Sequence, residues 1–199
     1  FIREALIANL DGLGRYPNVL SSLQFERLLS ASGPTAGHVA RPSDHAEPKR
    51  IAFLQCVGSR DQKHSYCSSV CCMYAAKEAM LAKEHVPDLD VQIFMMDMRA
   101  FSKGYTAYYE RASRTYGVGF QRCRISSLKE NAANHNLQVR YYTDDGAIRT
   151  EEFDMVVLSA GMEASPESKR LAENIGIELG PIGFCRVEAY KPLETTREG

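Results

Sequence analysis

Arg50-Ile51-Ala52-Phe53-Leu54-Gln55-Cys56-Val57-Gly58 is a short apolar run stopped by glycine. A continuous apolar segment of this length, followed by a turn signal, reads as a strand buried on both faces that empties into a loop. Downstream, Ser68 or Ser69 can cap a helix through Met73, Ala75, Ala76, Ala79, Met80 and Leu81 to about His85, where Pro87 stops it. Val91-Gln92-Ile93-Phe94-Met95-Met96-Asp97 then reads as a second buried strand. Tyr105 to Tyr116 gives another helix, Gly117-Val118-Gly119 a turn, and Phe120 to Ile125 a third strand. Strand, helix, strand, helix, strand with short links predicts a parallel sheet with right-handed crossovers. The expected fold class is α/β, a Rossmann-like parallel sheet with flanking helices.

On the carboxyl side, Leu137 to Tyr142 alternates, Asp144-Asp145-Gly146 makes a hairpin turn, and Ile148 to Glu152 returns. Phe153 to Ala160 reads as one more apolar strand, so an antiparallel meander leads back into the parallel sheet. Beyond Gly161 a helix is expected at Glu167 to Asn174, then coil containing Gly and Pro. On the amino side, a capping Ser precedes a short helix that reaches the core through Leu23, Phe25, Leu28 and Leu29. From Ser30 to Lys49, Ser, Gly, Pro, Asp and His dominate, which reads as a connecting loop and a candidate boundary. The chain therefore divides into a flank at 1–49, a Rossmann-like domain at 50–161 and a return segment at 162–199. Phe1 in place of an initiating Met, and an end at Arg197-Glu198-Gly199 with no closing element, predict a piece of a longer polypeptide.

With 44% hydrophobic and 25% charged residues among 199, the chain can bury a real core. Its 24 basic and 25 acidic residues leave a net charge of −1, which points to neither nucleic acid nor an anionic membrane. There is no apolar stretch of membrane-spanning length and no signal-peptide layout, so membrane insertion is not expected and the cytoplasm is. In a reducing compartment six cysteines are not expected to form disulfides, and four of them crowd between positions 56 and 72.

The spacing is Cys56-x10-Cys67-x3-Cys71-Cys72, with ligands from a strand end, a loop and the start of a helix. Four thiolates are what a [4Fe-4S] cubane requires. Cys67, Cys71 and Cys72 are expected where a helix begins, so that backbone N–H groups and the positive end of the dipole favour deprotonated sulfur. Structural zinc also takes four thiolates, but usually from paired knuckles that an adjacent Cys71-Cys72 does not resemble. Buried, unligated cysteines are the remaining alternative. Cys123 and Cys185 have no partner at ligand spacing and read as free thiols.

A dinucleotide-binding unit needs glycines where its first strand turns into its first helix, because the pyrophosphate approaches bare backbone there. Here that turn is Cys56-Val57-Gly58-Ser59-Arg60-Asp61, with one glycine, which argues against tight NAD binding. Asp97 stands where an acidic residue would hold a ribose hydroxyl, although a strand-end Asp commonly caps a loop.

Ile51 through Asp61, Tyr66-Cys67-Ser68-Ser69-Val70-Cys71-Cys72-Met73-Tyr74-Ala75, Asp97-Met98-Arg99-Ala100-Phe101 and Tyr108-Tyr109-Glu110-Arg111-Ala112 together resemble the A subunit of heterodisulfide reductase. The resemblance runs through most of the chain. It implies an oxidoreductase subunit whose core is similar to thioredoxin reductase and binds FAD and iron–sulfur clusters. It also implies work with further subunits of such a complex and with iron–sulfur electron carriers in cytoplasmic electron transfer. The family's unusual cluster motif falls on Cys56, Cys67, Cys71 and Cys72. Asp154-Met155-Val156-Val157-Leu158-Ser159-Ala160-Gly161 resembles the strand and turn that return toward the FAD domain, which makes Ala160 and Gly161 candidates for FAD contact. Lys77, on the helix after the cysteines, is a candidate partner for cluster or reduced flavin, or else a solvated surface group. The FAD fingerprint itself is absent, so FAD is expected only in the full-length protein. No acid–base triad is expected, since the cofactor carries the chemistry. Two alternatives stay open: an NAD(P)-linked flavin disulfide reductase, which lacks its usual C-x-x-C here, and a zinc-bound structural or docking module.

Overall fold

The computed structural model describes residues 12–197. Residues 1–11 and 198–199 lie outside the described residues, and with them Phe1 and the terminal Glu198-Gly199. The chain falls into two compact units that divide between Gly161 and Met162.

The larger unit is one seven-stranded sheet. Its strands are β1 (Val19–Ser21), β2 (Arg50–Val57), β3 (Asp90–Met95), β4 (Gly119–Glu130), β5 (Leu137–Thr143), β6 (Ile148–Phe153) and β7 (Met155–Ala160). The spatial order is β1-β7-β2-β3-β4-β5-β6. Neighbours are parallel from β1 to β4 and antiparallel from β4 to β6. Helices α1 (Ser22–Leu29), α2 (Cys71–His85) and α3 (Tyr105–Arg114) follow β1, β2 and β3. The expected order β2-α2-β3-α3-β4 is present, and so is the meander, whose turn carries Gly146 in the left-handed region.

Alternation along the strands builds two buried layers. Ile51, Phe53, Val91, Ile93, Met155 and Val157 face the helices, where Phe25 of α1 meets Phe53 edge-on with centroids 5.5 Å apart. Ala75, Ala76, Ala79 and Ala82 place one small-residue face of α2 on the sheet, which lets the helix approach closely. On the opposite face, Phe94 packs against Tyr141 at 4.9 Å and Phe153 at 5.6 Å, so the meander curls over the parallel strands. Burial of aliphatic and aromatic side chains on both faces supplies the main driving force for this unit.

Several details differ from the sequence expectation, each for a local reason. Ser21 caps α1 in a reciprocal capping box with Gln24, but Leu23 points outward and is 50% exposed, while Phe25 and Leu29 reach the core. The run from Phe153 to Ala160 is two strands: Asp154 interrupts it, its carboxylate accepting the backbone N–H groups of Lys49 at 2.7 Å and Arg50 at 2.8 Å. Residues 12–49 lie in the same compact unit as 50–161, with β1 paired to β7.

In the smaller unit, α4 (Glu167–Ile175) ends at Gly176, whose φ of 72° closes the helix in the left-handed conformation. The tail beyond it is not all coil, because β8 (Val187–Glu188) and β9 (Lys191–Thr195) form a small antiparallel hairpin. No helix among the described residues is long and apolar enough to cross a membrane.

Candidate functional site

Three chain segments bring cysteines to the carboxyl edge of the parallel strands. Cys56 lies in an irregularity of β2: Leu54 pairs with Leu158 and Val57 with Ala160, which leaves one extra residue on β2. Cys56 there has φ +61°, and such a bulge re-aims a side chain at a strand end. Cys67 sits in the following loop, which folds back on itself through Arg60 N–H to Tyr66 O and Asp61 N–H to His64 O, both 3.1 Å. Cys71 and Cys72 open α2 and are buried, at 2% and 4% exposure.

This corrects two expectations. The helix begins at Cys71 with Val70 before it and no side-chain cap, so neither Ser68 nor Ser69 caps it. Ser69 is instead in the left-handed region at φ +63°, and its N–H points to the Cys67 sulfur at 3.3 Å. Cys67 thus belongs to the loop, and only Cys71 and Cys72 occupy the first helical turn, at the positive end of the dipole. Cys56, Arg60 and Ser69 all carry positive φ without being glycine. Backbone strain of this kind concentrates where the surroundings hold a chain for function.

The four thiols are close enough to act on one another. Hydrogen bonding with Cys72 first, burial second, and the nearby Cys56 and Cys67 all push the Cys71 thiol up. The same hydrogen bond brings Cys72 down to about 7 against its burial, with help from the backbone N–H of Arg99. Burial pushes Cys56 up, Arg60 opposes it, and Cys72 and Cys67 add to it. All six cysteines of the chain are free thiols. Among the described residues no group of three or more His, Cys, Asp or Glu side chains is set around a single metal ion. A cubane needs one thiolate for each iron, and the donor set here is four sulfurs within electrostatic reach, partly buried, with N–H groups and a guanidinium beside them. The donor chemistry is that of such a group, while the four sulfurs are not set around one centre.

Asp97 follows β3 and does not offer a free carboxylate to a ribose: it is ion-paired with Arg60, and Arg99 Nε lies 3.3 Å from both its oxygens. Burial works against the ionised form, but the hydrogen bonds from Arg99 and Arg60 outweigh it and hold the carboxyl below its usual range. Arg60 and Arg99 carry no periodic or spacing signal, and the sequence reading missed them. Lys77 is half-exposed and paired with Glu26 of α1 at 2.7 Å. Ala160 is buried, and its carbonyl accepts from the Tyr74 hydroxyl at 3.4 Å. Cys123 is on β4, its thiol pushed up by burial to about 12, and Cys185 is exposed in the smaller unit. Cys56 and Cys123 both line a cavity of about 260 Å³ between the ends of β2, β3 and β4.

Gly161 donates its N–H to Val57 O at 2.7 Å, and a Cβ there would stand 2.7 Å from Gly58 O. Gly161→Ala is therefore expected to displace the turn after Cys56 and lower stability by about 1–3 kcal/mol. Denaturant unfolding checks this, and an unchanged midpoint would contradict it.

No family model matches the chain. It is 48% identical over 201 residues to the iron-sulfur A subunit of CoB–CoM heterodisulfide reductase from Methanocaldococcus jannaschii, covering 98% of this chain and 31% of that protein. It is 49% identical over 193 residues to the A subunit of the H2/formate:CoB-CoM heterodisulfide,ferredoxin reductase from Methanococcus maripaludis, covering 94% of this chain and 29% of that protein. The chain thus spans under a third of the length of these curated relatives. Among solved structures it is similar to thioredoxin reductase of Lactococcus lactis, with a TM-score of 0.52 and 14% identity over 95% of this chain and 50% of that one. That likeness is one of fold.

Proposed function

This chain is homologous along almost its whole length to a segment of the A subunit of heterodisulfide reductase, and on that premise we propose that Cys56, Cys67, Cys71 and Cys72 hold one [4Fe-4S] cluster. The observation that carries the reading is that a bulge, a loop and a helix start bring these four thiols to one edge of the parallel strands, where Cys56 and Cys67 both act on Cys71. When bound, such a cluster moves single electrons.

The chain's own residues set the conditions for that. The first turn of α2 turns its dipole toward Cys71 and Cys72, and burial keeps water from their sulfurs. N–H groups of Ser69 and Arg99 donate to Cys67 and Cys72. In the whole polypeptide the cluster relays electrons to or from FAD, with 1–49 and 162–199 as the flanks on the flavin-domain side and Ala160-Gly161 as the approach to it. The protein is on this reading one component of a cytoplasmic oxidoreductase complex that exchanges electrons with other iron–sulfur subunits. Lys77 is left as the partner of Glu26.

The test is iron and acid-labile sulfide content, with visible and EPR spectra, on the chain reconstituted without oxygen. About four of each per chain with a reducible EPR signal is the expected result. Zinc, or no metal after reconstitution, would remove the cluster reading.

A further inference from the structure

We infer that Arg60 is a positioning residue for the cluster: its guanidinium ties the Cys56 loop to the Cys72 side of the site through Asp97 and makes the cluster easier to reduce. The inference rests on the cluster reading above and goes beyond its ligand set.

Arg60 touches the Cys56 and Cys67 segments directly and reaches the Cys72 side through Asp97. Its side chain hydrogen-bonds the Cys56 thiol and pairs with the Asp97 carboxylate. Asp97 in turn presents its backbone carbonyl to Cys72 Sγ at 3.8 Å, and the backbone N–H of Arg99, two residues on, bonds that same sulfur. The Arg60 N–H holds Tyr66 O, the neighbour of Cys67. The Arg60 side chain is 22% exposed, and its backbone, at φ +57°, is held in an uncommon conformation.

A cluster that accepts one electron gains one negative charge. A fixed cation that donates to a ligating sulfur stabilises the more negative form more than the less negative one, which raises the potential. Arginine suits the position because its planar fork serves a sulfur and a carboxylate at once, whereas a lysine is a single point charge.

The test is a redox titration of the 199-residue chain, reconstituted without oxygen, as wild type, Arg60→Gln, Arg60→Lys and Asp97→Asn, with cluster release to a chelator timed in parallel. Arg60→Gln is expected to shift the reduced-to-oxidised ratio at fixed potential about tenfold toward oxidised, which is about 59 mV for one electron. Arg60→Lys should recover part of that shift. Asp97→Asn, which cuts the bridge and keeps the cation, should release the cluster several-fold faster. A wild-type chain that takes up no cluster overturns the cluster reading and this inference with it. A loaded wild type with the same potential in Arg60→Gln and Arg60→Lys overturns the role of Arg60 alone. Should Arg60→Gln not fold, Arg60→Met takes its place, and a wild-type potential there together with unchanged release from Asp97→Asn overturns it equally.

Discussion

Cys71→Ser and Cys72→Ser are each expected to bring the iron content of the reconstituted chain from about four per chain to below about one, while Cys123→Ser and Cys185→Ser leave it unchanged. Serine keeps the volume and position of cysteine, so the helix start survives and the change is one of donor chemistry: a hydroxyl at neutral pH is a protonated, hard donor where a thiolate is needed. Cys71 and Cys72 are the most demanding positions, because both are buried and joined to each other by a hydrogen bond. Cys123 shares a cavity wall with Cys56, but none of the four is among the groups that shift its thiol. Circular dichroism on each variant separates loss of cluster from loss of fold. Equal loss of iron from all four replacements would sink the ligand assignment.

Glu78→Gln is expected to stabilise the chain, and more so at pH 8 than at pH 5. Glu78 lies on α2 at 2% exposure, and its Oε2 has no hydrogen-bond partner. Burial first, and the nearby Glu26 second, lift its carboxyl from an ordinary 4.5 to about 9, with Lys77 opposing. The folded chain therefore keeps a proton that the unfolded chain releases, and a raised folded value means that stability is full below about 4.5 and falls until about 9. Each pH unit in that window is worth about 1.36 kcal/mol, so the cost at pH 7 is roughly 3 kcal/mol. Glutamine does not titrate but still buries an amide, which leaves a net gain of about 2 kcal/mol. Urea unfolding at pH 5, 7 and 8.5 measures it. A pH dependence that runs parallel in wild type and variant would refute the role given to Glu78.

The parallel core was legible because its strands are continuous apolar runs and its helices keep one small or apolar face, as Ile51–Leu54 and Ala75–Ala82 do. What was not legible depended on pairing across long distances. β1 is three residues long and becomes a strand only because β7 lies beside it. The break at Asp154 follows from two backbone N–H groups that arrive from residues 49 and 50, and no local pattern announces them. At the candidate site, spacing alone singled out the four cysteines. Their second layer escaped, since Arg60 and Asp97 lie 37 positions apart and meet only because β2 and β3 are neighbours. The bulge at Cys56 escaped for the same reason: it exists in the register between two strands and not in either one.

The place of β7 orders assembly in time. All six of its residues are buried, and it slots between β1 and β2, both of which are made long before it. A ribosome-bound chain that has reached the meander already holds β2, β3 and β4, yet β2 shows an open edge and β1 has no partner strand among the described residues. β7 is thus a keystone, and the last strand of this unit to be synthesised closes its sheet. Long-range closure of that kind is slow, and an open apolar edge invites pairing with other chains while it waits. Between synthesis of β6 and insertion of β7 the apolar edge of β2 is therefore at its most exposed.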